Sequence, residues 1–398
     1  MQAMVLRRRS QQIAVFGESG SGKTVLLSSF YGATQEPSFL EESLFRVRAD
    51  DQSDGRFLRQ NYLGLKKAKV PETTRLAARQ FSFTITLRDQ VQNDSTASKA
   101  RPFDALQLVW HDYPGEWFEE EPADENDKAR RVGAFRKLLE SDVAVVLIDG
   151  QKLLDNVGQE EKYLKSTLWG ISDGLERLKD DIVPEGKLTQ FPRIWIIALA
   201  KADLHPNLGA REFCDLVTEK NAGDVTKLHE TLKEFVNKPE ALSVGEDFLL
   251  LSSAKFEIAS DGPEPLKIEV DKRIGVDLML PIAAMLPLER LAQWYTRFDI
   301  PLAGLGKLVE NSETLAALLT GTGATVVKKF LAKVPKVGKP LALVAIPALG
   351  MMVNAGQEQL EKQYEQLRAN KDYLGATLAR FQLDLDSSAA NNVFRRGL

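Results

Sequence analysis

A glycine-rich stretch near the start of the chain, GESGSGKT over residues 17 to 24, constrains the fold more than any other feature. It follows the apolar residues IAVF and runs directly into VLLSSF, so we expect a buried strand before it and a helix after it. The residues match the pattern G-x-x-x-x-G-K-[ST] in full. Glycines let successive backbone N–H groups converge on a phosphate, and the N-terminus of the following helix adds partial positive charge. The stretch therefore predicts a phosphate cradle rather than an accidental turn.

The cradle residues have different predicted parts in holding a nucleotide. Lys23 is expected to reach the β and γ phosphates, and Thr24 is expected to hold Mg²⁺ through its hydroxyl. The other predicted contacts come from the rest of the loop and the start of the helix, namely Gly17, Glu18, Ser19, Gly20, Ser21, Gly22 and Val25. The motif indicates a nucleotide but does not select its base.

Strand and helix patterns alternate through the first three quarters of the chain, which predicts an α/β fold with a mainly parallel sheet covered on both faces. The candidate strands are residues 13–16, 81–87, 105–110, 143–148, 193–199 and 247–252. The candidate helices are residues 23–31, 127–140, 155–180, 210–220, 224–236 and 274–297. The strand FSFTITL (81–87) alternates apolar and polar residues, and the polar loop after it has no helix pattern. We therefore expect it near an edge, in an antiparallel hairpin with the next strand.

Strand signals end near residue 299, which divides the chain into a predicted nucleotide-binding domain (1–298) and a helical C-terminal domain (299–398). Residues 321–340 contain five lysines and no acid, and the apolar run that follows, 341–353, has thirteen residues. A spanning helix needs about 20 residues. We favour burial of this run against the final helical pattern, 358–381; contact with a partner or with anionic lipid is the alternative.

Charge and cysteine content narrow the class of protein. A net charge of −4 and a pI near 5.7 argue against broad nucleic-acid binding, which needs a basic surface. The single cysteine, Cys214, excludes an internal disulfide framework. No apolar run of signal-peptide length follows the arginines at the N-terminus, and we expect a cytoplasmic protein.

Three further motifs follow predicted strands. Asp112 begins D-Y-P-G, so its carboxylate can hold the water shell of Mg²⁺, and the N–H of Gly115 can contact a γ-phosphate. In KAD, Asp203 can accept two hydrogen bonds from guanine, and the stem of Lys201 can lie across the base. The tripeptide Ser253, Ala254 and Lys255 can direct a backbone N–H at the guanine O6. Because ligands of open α/β sheets bind at the carboxyl ends of the strands, the motifs are strong together although each is weak alone.

These motifs make residues 10 to 298 resemble the TRAFAC class of P-loop GTPases. HDYPGEW (111–117) and ALAKADLHP (198–206) look most like the bacterial YcjX-like GTPases and related bacterial GTPase-like proteins. The resemblance implies a Ras-like sheet, binding of Mg²⁺ with GTP or GDP, and two switch segments. It also implies a first-switch threonine on the metal, which here is Thr74 or its neighbour Thr73.

The sequence departs from this class at three places. Ala200 stands where this class usually carries an Asn or Thr that braces the base loop, here residues 200–203, against the cradle, and its presence predicts weaker guanine binding. Glu116 follows Gly115 where a water-orienting glutamine is common, and a carboxylate there is repelled by the γ-phosphate, which predicts slow hydrolysis. The segment 116–127 carries seven acids, as a solvated loop or as a switch that faces a partner.

The sequence is compatible with three functions. We favour a GTPase that hydrolyses GTP slowly and whose nucleotide controls the helical domain or a partner, with Lys23, Gly115 and Glu116 at the reacting phosphate. A nucleotide-gated scaffold with little hydrolysis is the first alternative, supported by Glu116 and Ala200. A P-loop ATPase or small-molecule kinase is the second, although such proteins usually lack the KAD and SAK loops.

Overall fold

The structure, a computed structural model, describes residues 8–71, 79–87, 105–112, 117, 121–183, 186–188, 193–236, 239, 242–258, 265–298, 357–369, 373–389 and 391–395. The described strands are β1 (Arg8–Gly17), β2 (Phe45–Ala49), β3 (Arg79–Leu87), β4 (Ala105–Asp112), β5 (Val143–Asp149), β6 (Arg193–Ala200), β7 (Leu242–Leu250), β8 (Lys255–Ile258), β9 (Pro265–Glu269) and β10 (Val393–Arg395). The described helices are α1 (Lys23–Ala33), α2 (Pro37–Glu42), α3 (Gln52–Leu65), α4 (Glu125–Leu139), α5 (Gly150–Asp155), α6 (Glu160–Arg177), α7 (Lys179–Ile182), α8 (Ala210–Lys233), α9 (Met279–Phe298), α10 (Gln357–Ala369) and α11 (Tyr373–Ser388).

Eight of these strands form one sheet, in the order β10-β7-β6-β5-β1-β4-β3-β2. The strands β4, β1, β5, β6 and β7 run parallel to one another. Every residue of β5 is buried, as expected of a central parallel strand with helices on both faces. The predicted fold class, a mainly parallel Ras-like sheet followed by a helical C-terminal region, is confirmed.

The predicted antiparallel hairpin is also confirmed. Strand β3 pairs with β4, with Phe81 opposite Trp110 and Thr86 opposite Ala105. It lies one strand in from the edge, because β2 pairs antiparallel with its other side. The sequence analysis missed β2, the two helices α2 and α3 beside it, and the small hairpin of β8 and β9.

Alternate residues of β1 point to opposite faces of the sheet and enter two different hydrophobic cores. Ile13 and Val15 pack with α1, α9 and α11, whereas Ala14 and Phe16 pack with α4, α6 and α8. The predicted break between helices at 220–224 is present as a kink, since Asn221 has non-helical angles (φ −128°, ψ 27°) inside α8.

The end of the chain returns to the same sheet. Strand β10 pairs antiparallel with β7, with Phe394 opposite Phe248, and α11 contacts α9. Arg395 forms ion pairs with Glu289 of α9 and Asp386 of α11. The boundary near residue 299 stays a prediction, as do the interpretations of residues 321–353, which lie outside the described residues. Among the helices of the described ranges, none is long and apolar enough to cross a membrane.

Candidate nucleotide-binding site

The loop between β1 and α1 has the backbone that a phosphate cradle requires. Gly20 and Gly22 adopt left-handed angles, with φ of 82° and 90°, which glycine tolerates best. At Gly17 a Cβ atom would lie 2.7 Å from Ser21 Oγ and 2.8 Å from Leu147 Cβ. A side chain at Gly17 would therefore push the loop away from β5, and the cradle closes only with glycine there.

Lys23, the first residue of α1, reaches back across the loop. Its Nζ donates to the carbonyl oxygens of Gly17 at 2.7 Å and of Glu18 at 3.0 Å. The ammonium group thus lies over the cradle, where it can neutralise phosphate charge. The Ser21 hydroxyl is buried in the same loop and makes no hydrogen bond to any described residue.

The predicted metal residues Thr24 and Asp112 come together, although 88 residues separate them. Thr24 Oγ1 donates to Asp112 Oδ2 at 3.3 Å. The second carboxylate oxygen, Oδ1, is buried and accepts no hydrogen bond within the described part of the chain. Desolvation raises the pKa of Asp112, and the positive charge of Lys23 opposes that rise.

The base-loop residues lie at the ends of β6 and β7. Lys201 has a left-handed backbone (φ 53°, ψ 39°) directly after β6. Asp203 Oδ1 accepts a hydrogen bond from Ser252 Oγ at 2.6 Å, and Oδ2 accepts one from the N–H of Phe256 at 3.3 Å. The KAD and SAK loops are thus joined through the Asp203 carboxylate.

The SAK loop is also held by the cradle helix. Ser29 Oγ of α1 donates to the carbonyl of Ser253 at 2.7 Å. Ala254 is buried, and Lys255 begins β8 with an exposed side chain.

A cavity of about 300 Å³ connects the cradle to the base loop. Its walls include Gly20, Val25, Val70, Lys201, Asp203 and Phe256. Val70 follows α3 and Phe256 lies in β8, so elements missed in the sequence supply apolar walls of the cavity. The cavity is large enough for the base and sugar of a nucleotide.

Several predicted residues lie outside the described residues: Thr73, Thr74, Gly115 and Glu116. The structure adds two residues that the sequence analysis did not name, each paired with a predicted one. Lys152 of α5 pairs with Glu18, and Asp149 pairs with Lys201 at 2.9 Å. Asp149 is the polar residue that ends the apolar strand VAVVLID, so the rule applied to Asp112 would also have selected it.

The acidic segment has an internal anchor at its end. Asp127, in the first turn of α4, accepts a hydrogen bond from Arg131 Nε at 2.9 Å. Arg131 is buried and also donates to the carbonyl of Trp117 at 3.2 Å. Of the seven acids in the segment 116–127, at least Asp127 is therefore held by contacts within the protein.

The chain matches a known protein family. A family model described as Double-GTPase 2 matches residues 11–246, more than half of the 398 residues. The comparison with curated proteins finds no match.

Solved structures give weaker similarities. At 16% identity and a TM-score of 0.31, 66% of the chain aligns with 95% of a chain from the signal recognition particle receptor SRb-GTP/SRX complex of Chaetomium thermophilum. At 13% identity and a TM-score of 0.30, 77% of the chain aligns with 97% of a nucleolar GTP-binding protein 1 of Plasmodium falciparum.

Proposed function

This chain belongs to the Double-GTPase 2 family, and we propose that it binds GTP with Mg²⁺ and hydrolyses it slowly to GDP and phosphate as a conformational switch. The observation that carries the proposal is the continuous cavity from the cradle glycines to Lys201 and Asp203. Its lining residues run from Gly20 and Gly22, the predicted phosphate contacts, to Lys201 and Asp203, the predicted base contacts, so a nucleotide bound there would have its phosphates at one end and its base at the other.

Base selection rests on Asp203. Ser252 and Phe256 donate to its carboxylate and hold its plane, while the residue still lines the cavity. A carboxylate can accept hydrogen bonds from the N1–H and exocyclic amine of guanine at the same time. Adenine offers no such pair of donors, so this geometry favours GTP over ATP.

The residues beside the cradle fit a magnesium ion. Mg²⁺ prefers oxygen ligands and keeps several waters, and Thr24 and Asp112 offer a hydroxyl and a carboxylate 3.3 Å apart. The buried Asp112 Oδ1, which accepts no hydrogen bond from a described residue, is an oxygen to which the ion or its water can bind. Mg²⁺ would supply charge neutralisation at the β and γ phosphates. We expect the first-switch threonine, Thr74 or Thr73, to complete this set.

The rate of hydrolysis depends on residues at the start of the second switch. The N–H of Gly115 is expected to contact the γ-phosphate, and Lys23 to neutralise it. We expect Glu116 to place a negative charge beside the γ-phosphate, which would make the intrinsic reaction slow unless a partner completes the site. The segment 116–127 and the helical residues after 299 are the regions through which we expect a protein partner to act.

The test of ligand identity is a thermal-shift comparison of GTP, GDP, ATP and ADP, each with Mg²⁺. We expect GTP and GDP to raise the melting temperature and the adenine nucleotides to leave it unchanged. Equal stabilisation by ATP and GTP would overturn guanine selectivity and favour an ATPase or kinase.

Hydrolysis is tested separately by multiple-turnover phosphate release, with and without cell extract. Slow release that extract accelerates is the expected result. Binding without release under both conditions would favour a nucleotide-gated scaffold.

A further inference from the structure

The base loop lacks its usual brace to the cradle at Ala200, but the short helix α5 touches both loops. We propose that α5 joins the base loop to the phosphate cradle, with Asp149 as the residue that positions Lys201. This inference rests on the proposed function, because it assigns a part in nucleotide binding to residues outside the predicted motifs.

The N-terminal end of α5 holds the base loop through a buried carboxylate. Asp149 Oδ2 accepts a hydrogen bond from Lys201 Nζ at 2.9 Å, and Oδ1 accepts one from the N–H of Gln151, also at 2.9 Å. The N–H of Asp149 donates to the hydroxyl of Tyr163 in α6 at 3.0 Å. Because all these groups are fixed, the carboxylate has a defined direction and holds the end of the Lys201 side chain.

The Asp149–Lys201 ion pair supports an unusual backbone conformation in the base loop. A left-handed backbone is unfavourable for a residue with a side chain, so the angles at Lys201 need support from their surroundings. Lys201 lines the cavity, and its ammonium group pairs with the buried Asp149. The pair therefore holds the Lys201 side chain at the wall of the cavity.

The first turn of α5 also packs directly on the base-loop backbone. A Cβ atom at Gly150 would lie 2.4 Å from the carbonyl oxygen of Ala200 and 2.9 Å from that of Lys201. The carbonyl of Gly150 lies 2.7 Å from His205 Nε2, within hydrogen-bond distance. The approach is possible because residue 150 is glycine, and it leaves little space for the loop to move relative to α5.

The same helix reaches the cradle. Lys152 forms an ion pair with the carboxylate of Glu18, which also accepts a hydrogen bond from Thr167 Oγ1 of α6 at 3.1 Å. Gln151, between the two ion pairs, lines the cavity. The two loops that hold opposite ends of the ligand are thus connected through three consecutive residues of one helix and its N-cap.

Asp149 also caps α5, so the test must separate capping from positioning. The variant Asp149→Asn does this, because asparagine is as good an N-cap as aspartate but cannot form an ion pair with Lys201. The probes are a non-hydrolysable GTP analogue, which needs both loops, and inorganic tripolyphosphate, which needs only the cradle. Both are measured with Mg²⁺ by calorimetry on the full chain.

We expect Asp149→Asn to weaken the GTP analogue by about tenfold, the effect of one charge-assisted hydrogen bond. Binding of tripolyphosphate should stay within about twofold of the wild type. The matched control is Lys179→Gln, which removes the surface ion pair with Glu234 and should change neither affinity.

The outcomes distinguish the inference from the function on which it rests. A wild type that does not bind the GTP analogue would overturn both. A wild type that binds it, together with an unchanged Asp149→Asn variant, would overturn only the bracing by α5. Equal losses for the GTP analogue and tripolyphosphate would assign Asp149 a general structural role and also overturn the inference.

Discussion

The contact between α1 and α3 provides a sharp test of the architecture beside the cradle. Gly32 of α1 lies against the ring of Tyr62 in α3, and both residues are buried. A Cβ atom at Gly32 would lie 2.1 Å from Tyr62 Cγ and 2.5 Å from Tyr62 Cβ. Because the Tyr62 Cβ is close to the backbone, it cannot yield by rotation of the side chain, and Gly32→Ala must push the two helices apart.

The size of the effect follows from two opposed terms. Alanine is favoured over glycine inside a helix by about 0.5–1 kcal/mol. Overpacking in a tight core costs about 1–3 kcal/mol, and the backbone-near contact places Gly32→Ala toward the upper end of that range. We therefore expect the free energy of unfolding to fall by about 1–2 kcal/mol, the difference between the two terms.

The control is Gly133→Ala in α4, where the position is exposed and a Cβ atom would meet nothing within 4 Å. This variant should gain about 0.5–1 kcal/mol, because only the helix term applies. Urea unfolding of the two variants and the wild type, with unchanged slopes, gives the comparison. Equal stabilities for Gly32→Ala and Gly133→Ala would refute the close packing of α3 on α1.

Three further substitutions test the site and the core. Lys23→Ala should abolish nucleoside triphosphate binding measured by calorimetry while the fold is retained, because the lysine neutralises phosphate charge in a site built from backbone donors. A variant with wild-type affinity would contradict the assignment of residues 17–24 as a phosphate cradle. Asp203→Asn should shift the preference from guanine to xanthine nucleotides, since an amide can donate where the carboxylate only accepts, and competition between GTP and XTP measures it. Burial raises the pKa of Asp247 to about 6 although Arg290 opposes the shift. The folded chain then holds this proton more tightly than the unfolded chain, whose Asp pKa is about 4, so the contribution of Asp247 to the unfolding free energy falls as pH rises from about 4 to about 6. In urea titrations at stepped pH, Asp247→Asn should remove this decrease in the free energy of unfolding. A variant whose stability depends on pH as the wild type's does would contradict the assignment of the decrease to Asp247.

The parts of the fold predicted from sequence are those with strong local patterns. The apolar run of β5 and the alternation in β3 identify strands directly, since burial on two faces or one face sets the pattern. Strand β2 was missed because FRVRA contains two arginines and buries only Val47, and a short edge strand has little apolar signal. Strand β10 has three residues, and only its pairing with β7 makes it a strand.

The functional site also contains residues that local motifs predict and residues that only the tertiary structure brings together. The cradle follows from one contiguous motif, and Asp112 and Asp203 follow from their places at strand ends. The pairs Glu18 with Lys152 and Asp149 with Lys201 join residues far apart in sequence, and no local pattern encodes either contact. The walls at Val70 and Phe256 come from elements whose positions only the tertiary structure supplies.

Coupling between nucleotide and conformation gives the last prediction. A ligand shifts a conformational equilibrium only by its different affinity for the two states, and here the γ-phosphate is the group that GTP has and GDP lacks. The segment that would sense the γ-phosphate begins at Asp112, the last residue of β4. It ends at Asp127, which forms an ion pair with Arg131 in α4. We expect amide hydrogen exchange in residues 112–127 and around Thr73 and Thr74 to slow with a non-hydrolysable GTP analogue relative to GDP.

The C-terminal residues offer a route for output, because the carbonyl of Asn391 accepts a hydrogen bond from the N–H of Ala210 at 2.9 Å, close after the base loop. Exchange in part of the chain after residue 299 should therefore change as well, while the buried amides of β5 serve as the internal control and should exchange equally in both states. Identical exchange across both switch segments would mean that the nucleotide site is static, and a scaffold without switching would then explain the site better.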